Sequence, residues 1–378
     1  MNTRKYATLV SVVDETLAGR TDNARRLLAD LVERQLDPHA GGEDLQYYLF
    51  ASALSRRLAS DTTAQINLYL QQFEKTQISL FNLLAQHLPT VALAGPLANE
   101  VLAGYIGGQD EITLLDVGIG SGRQEVGLLY LLATRRQLPR KLNVIAIEPD
   151  AGSLLEAGES LAEAAMTLGM ELEFHPVHKV VEELDDADWR FFASFNTPLV
   201  ALGAFSVHHV RSAAQQNARD ALFHRLRALQ PDAVVLCEPS SNHDSASLAD
   251  RFAASWHHFG LTFQLIDGLE IGESEKGTMK MFFAREIEDI LANAEESRCE
   301  RHEPVDCWVH RLRRAGFVPC ADFGMVSGPS SGPVRVAVRD GYLGLDYGDE
   351  TLVAIICATS GVPARTGRIS PVLLEQVA

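Results

Sequence analysis

Basic residues are scarce in this chain. Against 50 Asp and Glu there are 33 Lys and Arg, a formal net charge of −17 over 378 residues. Nucleic acid is usually met by a basic face, so this balance argues against a nucleic-acid partner. No apolar run is long enough to cross a bilayer, which argues against a membrane partner. Near the N-terminus Arg4 and Lys5 precede a short apolar segment, but Asp14 and Glu15 follow at once. A helix is expected there and not a signal peptide. Cysteine is sparse as well. Cys237, Cys299, Cys307, Cys320 and Cys357 form no C-x-x-C pair, and their odd number and wide spacing suit a reducing, cytoplasmic setting. Cys299 and His302, like Cys307 and His310, stand three apart as zinc ligands on a helix might. Arg298, Arg301 and Arg311 lie beside them and would oppose a cation, so no metal is expected.

What is present is ordinary globular composition, 46% apolar and 22% charged, in a chain long enough for a large core. Residues from about Thr3 to Ile106 show only helical periodicity, with Leu45, Leu49 and Ala53 and then Phe50, Leu54 and Leu58 at four-residue steps. A loop is expected over Asp37–Gly42, helices over Ala64–Leu88 and Ala98–Ile106, and breaks at Pro89 and Gly95-Pro96. From Ile112 short apolar runs alternate with amphipathic segments. Strands are expected at 112–117, 142–148, 171–177, 198–207 and 232–238, near-continuous apolar runs of the kind that parallel strands buried on both faces show. Helices are expected at 151–168 (closed by Gly169), 245–263, 278–294 and 303–315, with a polar loop or lid at 268–277. Tyr342–Tyr347 and Thr351–Ala358 flank Gly348-Asp349-Glu350, a hairpin signal. The fold class that follows is α/β, mostly parallel with a terminal antiparallel hairpin. Residues 1–108 form a helical cap and 109–378 the core, with the helices of 242–316 partly joining the cap.

Within that core, ITLLDVGIGSGRQ reads as strand, tight turn and helix. Asp116 is followed by Gly118, Gly120 and Gly122, with Ile119 and Ser121 between them. Glycines allow a sharp turn and close backbone approach, and the amides at a helix N-terminus favour negative charge. The Asp-x-Gly-x-Gly-x-Gly pattern differs from the usual G-x-G-x-x-G of dinucleotide enzymes, which disfavours a nicotinamide cofactor. It resembles the first motif of class I S-adenosylmethionine-dependent methyltransferases. That resemblance implies a Rossmann-like core and a turn wrapped around the amino-acid part of S-adenosylmethionine. It also implies that Glu148, next to Pro149 at the end of strand two, takes the ribose hydroxyls. Val177, His178 and Phe205, at the ends of strands three and four, would complete the cofactor site, with Phe205 beside the transferring methyl.

A second resemblance covers most of the chain, from about Leu27 to Ala358. LLADLVERQ followed by DLQYYLFASALSRRL looks like the first leucine-rich region of the GRAS family, best known as plant transcriptional regulators. FSVHHV, VLCEPSSNHDS and RFAASWHHF resemble later GRAS elements, and YLGLDYGDETLVAIICA the closing region. The most specific piece is MFFAREIEDILANAEESRCERHEPVDCWVHRLRRAGFVP. Plant members generally lack the glycine turn. The resemblance therefore implies a bacterial-type member that kept a methyltransferase cofactor site beneath its helical cap.

Methyl transfer needs an in-line arrangement and sometimes a proton acceptor. His208 and His209 are the candidates, since histidine titrates near neutrality, although a core imidazole and a helix cap account for the pair equally well. Glu238 would anchor a substrate amine or hydroxyl, or else pair with an arginine. Arg285 would hold a substrate carboxylate, or else join Glu286, Arg301, His302 and Glu303 in an ion network between cap and core. The expected function is a methyltransferase acting on a small-molecule substrate enclosed between cap and sheet, with a homo-oligomer possible. The alternative is a non-catalytic GRAS-type module that binds a small ligand or a protein.

Overall fold

The computed structural model describes residues 3–36, 42–59, 77–211, 217–321, 323 and 332–361. The expected loop over 37–41 and the 64–76 part of an expected helix lie outside them. The chain divides into two compact units, Met1–Leu88 with Ser241–Glu303, and Pro89–Ser240 with Pro304–Ala378. The sequence reading had drawn that line at residue 108.

The first unit is helical: α1 (Thr3–Leu17), α2 (Thr21–Gln35), α3 (Gly42–Leu58), α4 (Gln77–His87), and, after a long gap in sequence, α10 (Leu248–Asp267) and α11 (Glu273–Ala292). Its core is aromatic. The Trp256 ring lies 4.8 Å from Tyr47, 4.9 Å from Phe50 and 5.2 Å from Tyr6, centroid to centroid. Such contacts add to the large area that each ring buries. The acidic stretch expected as a loop opens α11 instead, because Glu275 reaches back to accept the Gly272 N–H at 3.1 Å.

Polar groups are buried here in a connected set. Arg298 is fully buried and donates to both oxygens of Glu295 and to the His243 carbonyl at 2.7 Å. Arg301 pairs with Glu295 and Asp244. Asp289 accepts the N–H groups of Cys299 and Glu300 at 2.8 and 2.7 Å. Burial, with Glu300 nearby, lifts its carboxyl to about 6. His243 Nδ1 meets His302 Nδ1 at 2.8 Å, and its Nε2 meets Ser241. The arginine network expected to join cap and core therefore closes inside the helical unit, on 241–244 and 289–302.

The second unit is a sheet flanked by helices. Its strands are β1 (Glu111–Val117), β2 (Lys141–Ile147), β3 (Glu171–Val177), β4 (Leu199–Ala204), β5 (Ala233–Pro239), β6 (Val318–Pro319), β7 (Arg335–Arg339), β8 (Tyr342–Tyr347) and β9 (Glu350–Thr359). They run in the order β3-β2-β1-β4-β5-β9-β8-β7, with β6 also on β9. The first five pair parallel and the remainder antiparallel. The helices are α5 (Pro89–Ile106), α6 (Arg123–Thr134), α7 (Ala151–Leu168), α8 (Asp186–Phe192), α9 (Ala218–Ala228) and α12 (Val305–Arg314). The ends of α7 are set locally: Asp150 accepts the Ser153 N–H at its start, and Gly169 closes it at φ +70°. Helix α5 was expected to break at Gly95-Pro96, yet it runs through. Ala94, Leu97, Ala98, Val101 and Leu102 are all buried, and their packing outweighs the backbone bond lost at Pro96.

Burial holds His258 at a pKa of about 3, so it stays neutral in the folded protein, while an unfolded histidine protonates near 6.5. The unfolded state then takes up the extra proton, and stability falls as pH drops through that window. His258→Phe should remove up to about 1.4 kcal/mol of this loss per pH unit, measured as the difference between variant and wild type in urea unfolding between about pH 6.5 and about pH 4.

Candidate functional site

The expected site residues of the sheet unit gather at the carboxyl ends of its parallel strands, and backbone hydrogen bonds join them. Gly118 N–H donates to the Ile147 carbonyl at 2.8 Å, and Glu148 N–H to the Val177 carbonyl at 3.1 Å. His178 Nε2 meets the Pro149 carbonyl at 2.9 Å. The turn needs its glycines, with φ of +84°, +55° and +72° at Gly118, Gly120 and Gly122. Between them, Ile119 is buried and Ser121 half-buried.

What approaches this turn is the protein itself. A Cβ on Gly118 would lie 2.5 Å from Ser206 Cβ, and one on Gly122 would lie 3.0 Å from the Ala157 backbone. Ser206 Oγ donates to the Val117 carbonyl at 2.5 Å, locking the turn after β4 to the turn after β1. Glu148 is folded back on the turn: Oε2 accepts the Gly120 N–H at 3.0 Å and Oε1 the Asp150 N–H at 2.9 Å. Burial raises its pKa, and these two bonds oppose the rise. Asp116 is buried beside Glu125, an acid in the first turn of α6 that sequence reading did not single out. Burial first, and then the neighbouring acid, pushes Asp116 well above the usual carboxylate range; burial also raises Glu125. Two buried acids in contact keep a proton between them.

Strand β4 was expected to reach Val207. It stops at Ala204, Phe205 takes φ +53°, and Val207–His209 form a single 3₁₀ turn. The two histidines thus do not alternate across a strand. Their rings lie 3.9 Å apart, with His208 buried and His209 half-buried. Glu238 explains the turn. It is fully buried at the end of β5, accepting the Val207 N–H at 2.9 Å through Oε1 and meeting His208 Nδ1 at 2.5 Å through Oε2. Phe205 N–H donates to the Cys237 carbonyl at 2.7 Å. Arg219, another residue the sequence reading missed, is buried under this turn. It donates to the His208 and Val210 carbonyls at 3.1 and 3.2 Å and lies 5.3 Å from the Trp308 ring. Arg285 sits half-buried on α11 of the helical unit, where burial lowers its pKa.

The GRAS domain family profile matches residues 6–323. The chain belongs to the GRAS domain family. It is 28% identical over 313 residues to GRAS family protein RAD1 of Medicago truncatula, covering 79% of this chain and 59% of that protein. DELLA protein 2 of Medicago truncatula is 27% identical over 61% of this chain and 44% of its own length. DELLA protein RGL3 of Arabidopsis thaliana is 26% identical over 81% of this chain and 60% of its own. The chain thus spans roughly half the length of the curated relatives it matches. Among solved structures, SCL7 of Oryza sativa superposes with a TM-score of 0.74 at 21% identity, covering 94% of this chain and 99% of that one. That likeness shows a shared mixed α/β fold.

These relatives overturn the expectation of a methyltransferase. They are GRAS regulators and DELLA proteins, so the enzyme reading, the S-adenosylmethionine cofactor and the small-molecule substrate are withdrawn. The exclusion of nucleic acid, drawn from net charge alone, is withdrawn with them. The site geometry supplies a physical reason. Glu148 meets backbone amides where ribose hydroxyls were expected, and Ser206 stands where close approach to Gly118 was reserved for a ligand. The turn does not fit the cofactor that its spacing suggested.

Two substitutions test this account of the site. Gly118→Ala should cost about 1–3 kcal/mol of unfolding free energy, since the new methyl meets Ser206 at a positive φ. Glu238→Ala, which strands His208 and the Val207 amide in the interior, should cost about 3–5 kcal/mol. Denaturant unfolding of the purified variants checks both.

Proposed function

We propose that the chain is a non-catalytic regulatory module of the GRAS type, acting through contact with other proteins. The observation that carries this reading is the family match over residues 6–323 together with relatives that are regulators. The chemistry of the strand ends supports it. Glu238, Glu148 and the Asp116–Glu125 pair each direct carboxyl oxygens at groups of the protein itself, and His208 is bound to Glu238. We read the residues first assigned to cofactor and catalysis as the cement of a rigid sheet end. The retained glycine turn supports a bacterial-type member with a Rossmann-like core, whose turn keeps its shape without a ligand to shape it. No helix among the described residues is long and apolar enough to cross a membrane. The free thiols of all five cysteines agree with the reducing, cytoplasmic setting read from sequence.

Affinity-tagged protein, crosslinked gently in its native cells, should recover the same protein partner in near-stoichiometric amount from independent cultures. Calorimetry of the purified chain with S-adenosylmethionine should show no heat at millimolar ligand. Labelled methyl groups passing from S-adenosylmethionine to any component of a cell extract, in a step that needs this protein, would sink the proposal.

A further inference from the structure

At the antiparallel side of the sheet unit three strands converge on a sulfur pair. β6 is only two residues long, with Val318 facing Thr359 and Pro319 facing Ala358 on β9. The next residue, Cys320, therefore faces Cys357. Its N–H donates to the Cys357 carbonyl at 2.9 Å, Gly341 N–H donates to the Cys320 carbonyl at 2.9 Å, and Cys357 N–H donates to the Gly341 carbonyl at 3.0 Å. This ring of three backbone bonds needs glycine at its corner: Gly341 has φ +91°, and a Cβ there would lie 2.9 Å from Pro319. The backbone clamp sets the side chains together. The two Sγ atoms are 3.0 Å apart, and the Tyr105 hydroxyl lies 3.3 Å from one and 3.8 Å from the other. Residues facing each other on antiparallel strands have Cα atoms about 4.5–5.5 Å apart, inside the span that a disulfide bridges.

We propose that Cys320 and Cys357 form a reversible disulfide when the protein meets hydrogen peroxide, with Cys320 the thiol that reacts first. Cys320 is half-buried and can be reached, whereas Cys357 is buried behind it. The Cys357 thiol and then the Tyr105 hydroxyl donate to the Cys320 sulfur and lower its pKa, while that same contact and burial push Cys357 well above the usual thiol range. The thiolate is the nucleophile, so the two cysteines have distinct parts. The Cys320 thiolate attacks one peroxide oxygen, the O–O bond breaks, and after protonation water leaves and a sulfenic acid remains. The Cys357 sulfur then attacks the Cys320 sulfur, the S–O bond breaks, and the Cys357 proton leaves with the hydroxyl as a second water. Overall, two thiols and one peroxide give one disulfide and two waters. The product ties the 318–320 segment covalently to β9, and an added thiol such as dithiothreitol reverses it by exchange.

The test uses the full chain, fully reduced, treated with hydrogen peroxide, then denatured and alkylated with a maleimide. Two of the five thiols should be lost per chain. Mass spectrometry of the digest should show a peptide linking Cys320 to Cys357, and dithiothreitol should restore all the thiols. In Cys357→Ser, a dimedone adduct should accumulate on Cys320; in Cys320→Ser, none should form on Cys357. Cys307→Ser, which removes the exposed thiol, should leave the internal link unchanged. Full alkylation of Cys320 and Cys357 after peroxide, or links running only through Cys307 between chains, would overturn the proposal. A dimedone adduct on Cys357 instead of Cys320 would overturn the assigned order.

Discussion

Glu238 is the constraint on which the sheet unit depends. A carboxylate placed at the very end of a central strand, with no exposure, must be matched by donors of the protein. The donors are the Val207 amide and the His208 ring, and supplying them requires β4 to stop early and curl. That curl puts Phe205 in the left-handed region and brings Ser206 against Gly118. The conformation of the turn after β1 and the shape of the turn after β4 are thus one decision. Arg219, holding two carbonyls of the same curl from beneath, satisfies acceptors that the short turn leaves without an intrahelical donor.

The helical unit solves the same problem in a different chemistry. Its 289–303 segment has no regular structure beyond a single short turn, so its backbone groups and charges need partners from side chains. Asp289 supplies acceptors for two successive amides, and Glu295 neutralises Arg298 and Arg301 together. The R-x-E-R-H motif that marks the GRAS resemblance is therefore a packing device, a buried set of charges each matched within the same unit. A motif can be specific to a family without touching a ligand.

The strand-turn-helix motif carries a similar lesson. Asp-x-Gly-x-Gly-x-Gly states that the chain must take three positive φ angles between a buried strand and a helix, and the structure takes all three. It does not state what fills the space the glycines leave. In this protein Ser206, Ala157 and the Glu148 carboxylate press on the turn from inside, so the same backbone is held without a cofactor.

Much of the architecture was legible in the chain alone. The five parallel strands were readable because burial on both faces leaves nearly unbroken apolar runs, and the β8–β9 hairpin because Gly348-Asp349-Glu350 interrupts two of them. Strand β7 was not, since Arg335 and Arg339 bracket a short edge whose pairing lends it no apolar signature. Nor was the passage of α5 through Pro96, which depends on what its buried face meets. The sequence by itself determined the α/β class, the glycine turn and the family, because these rest on local backbone preference and on the order of apolar runs. Tertiary structure alone decided the roles of Glu148, Glu238, His208 and the Cys320–Cys357 pair. A carboxylate or thiol acts through whatever lies within about 3 Å of it, and residues dozens of positions away supply those neighbours.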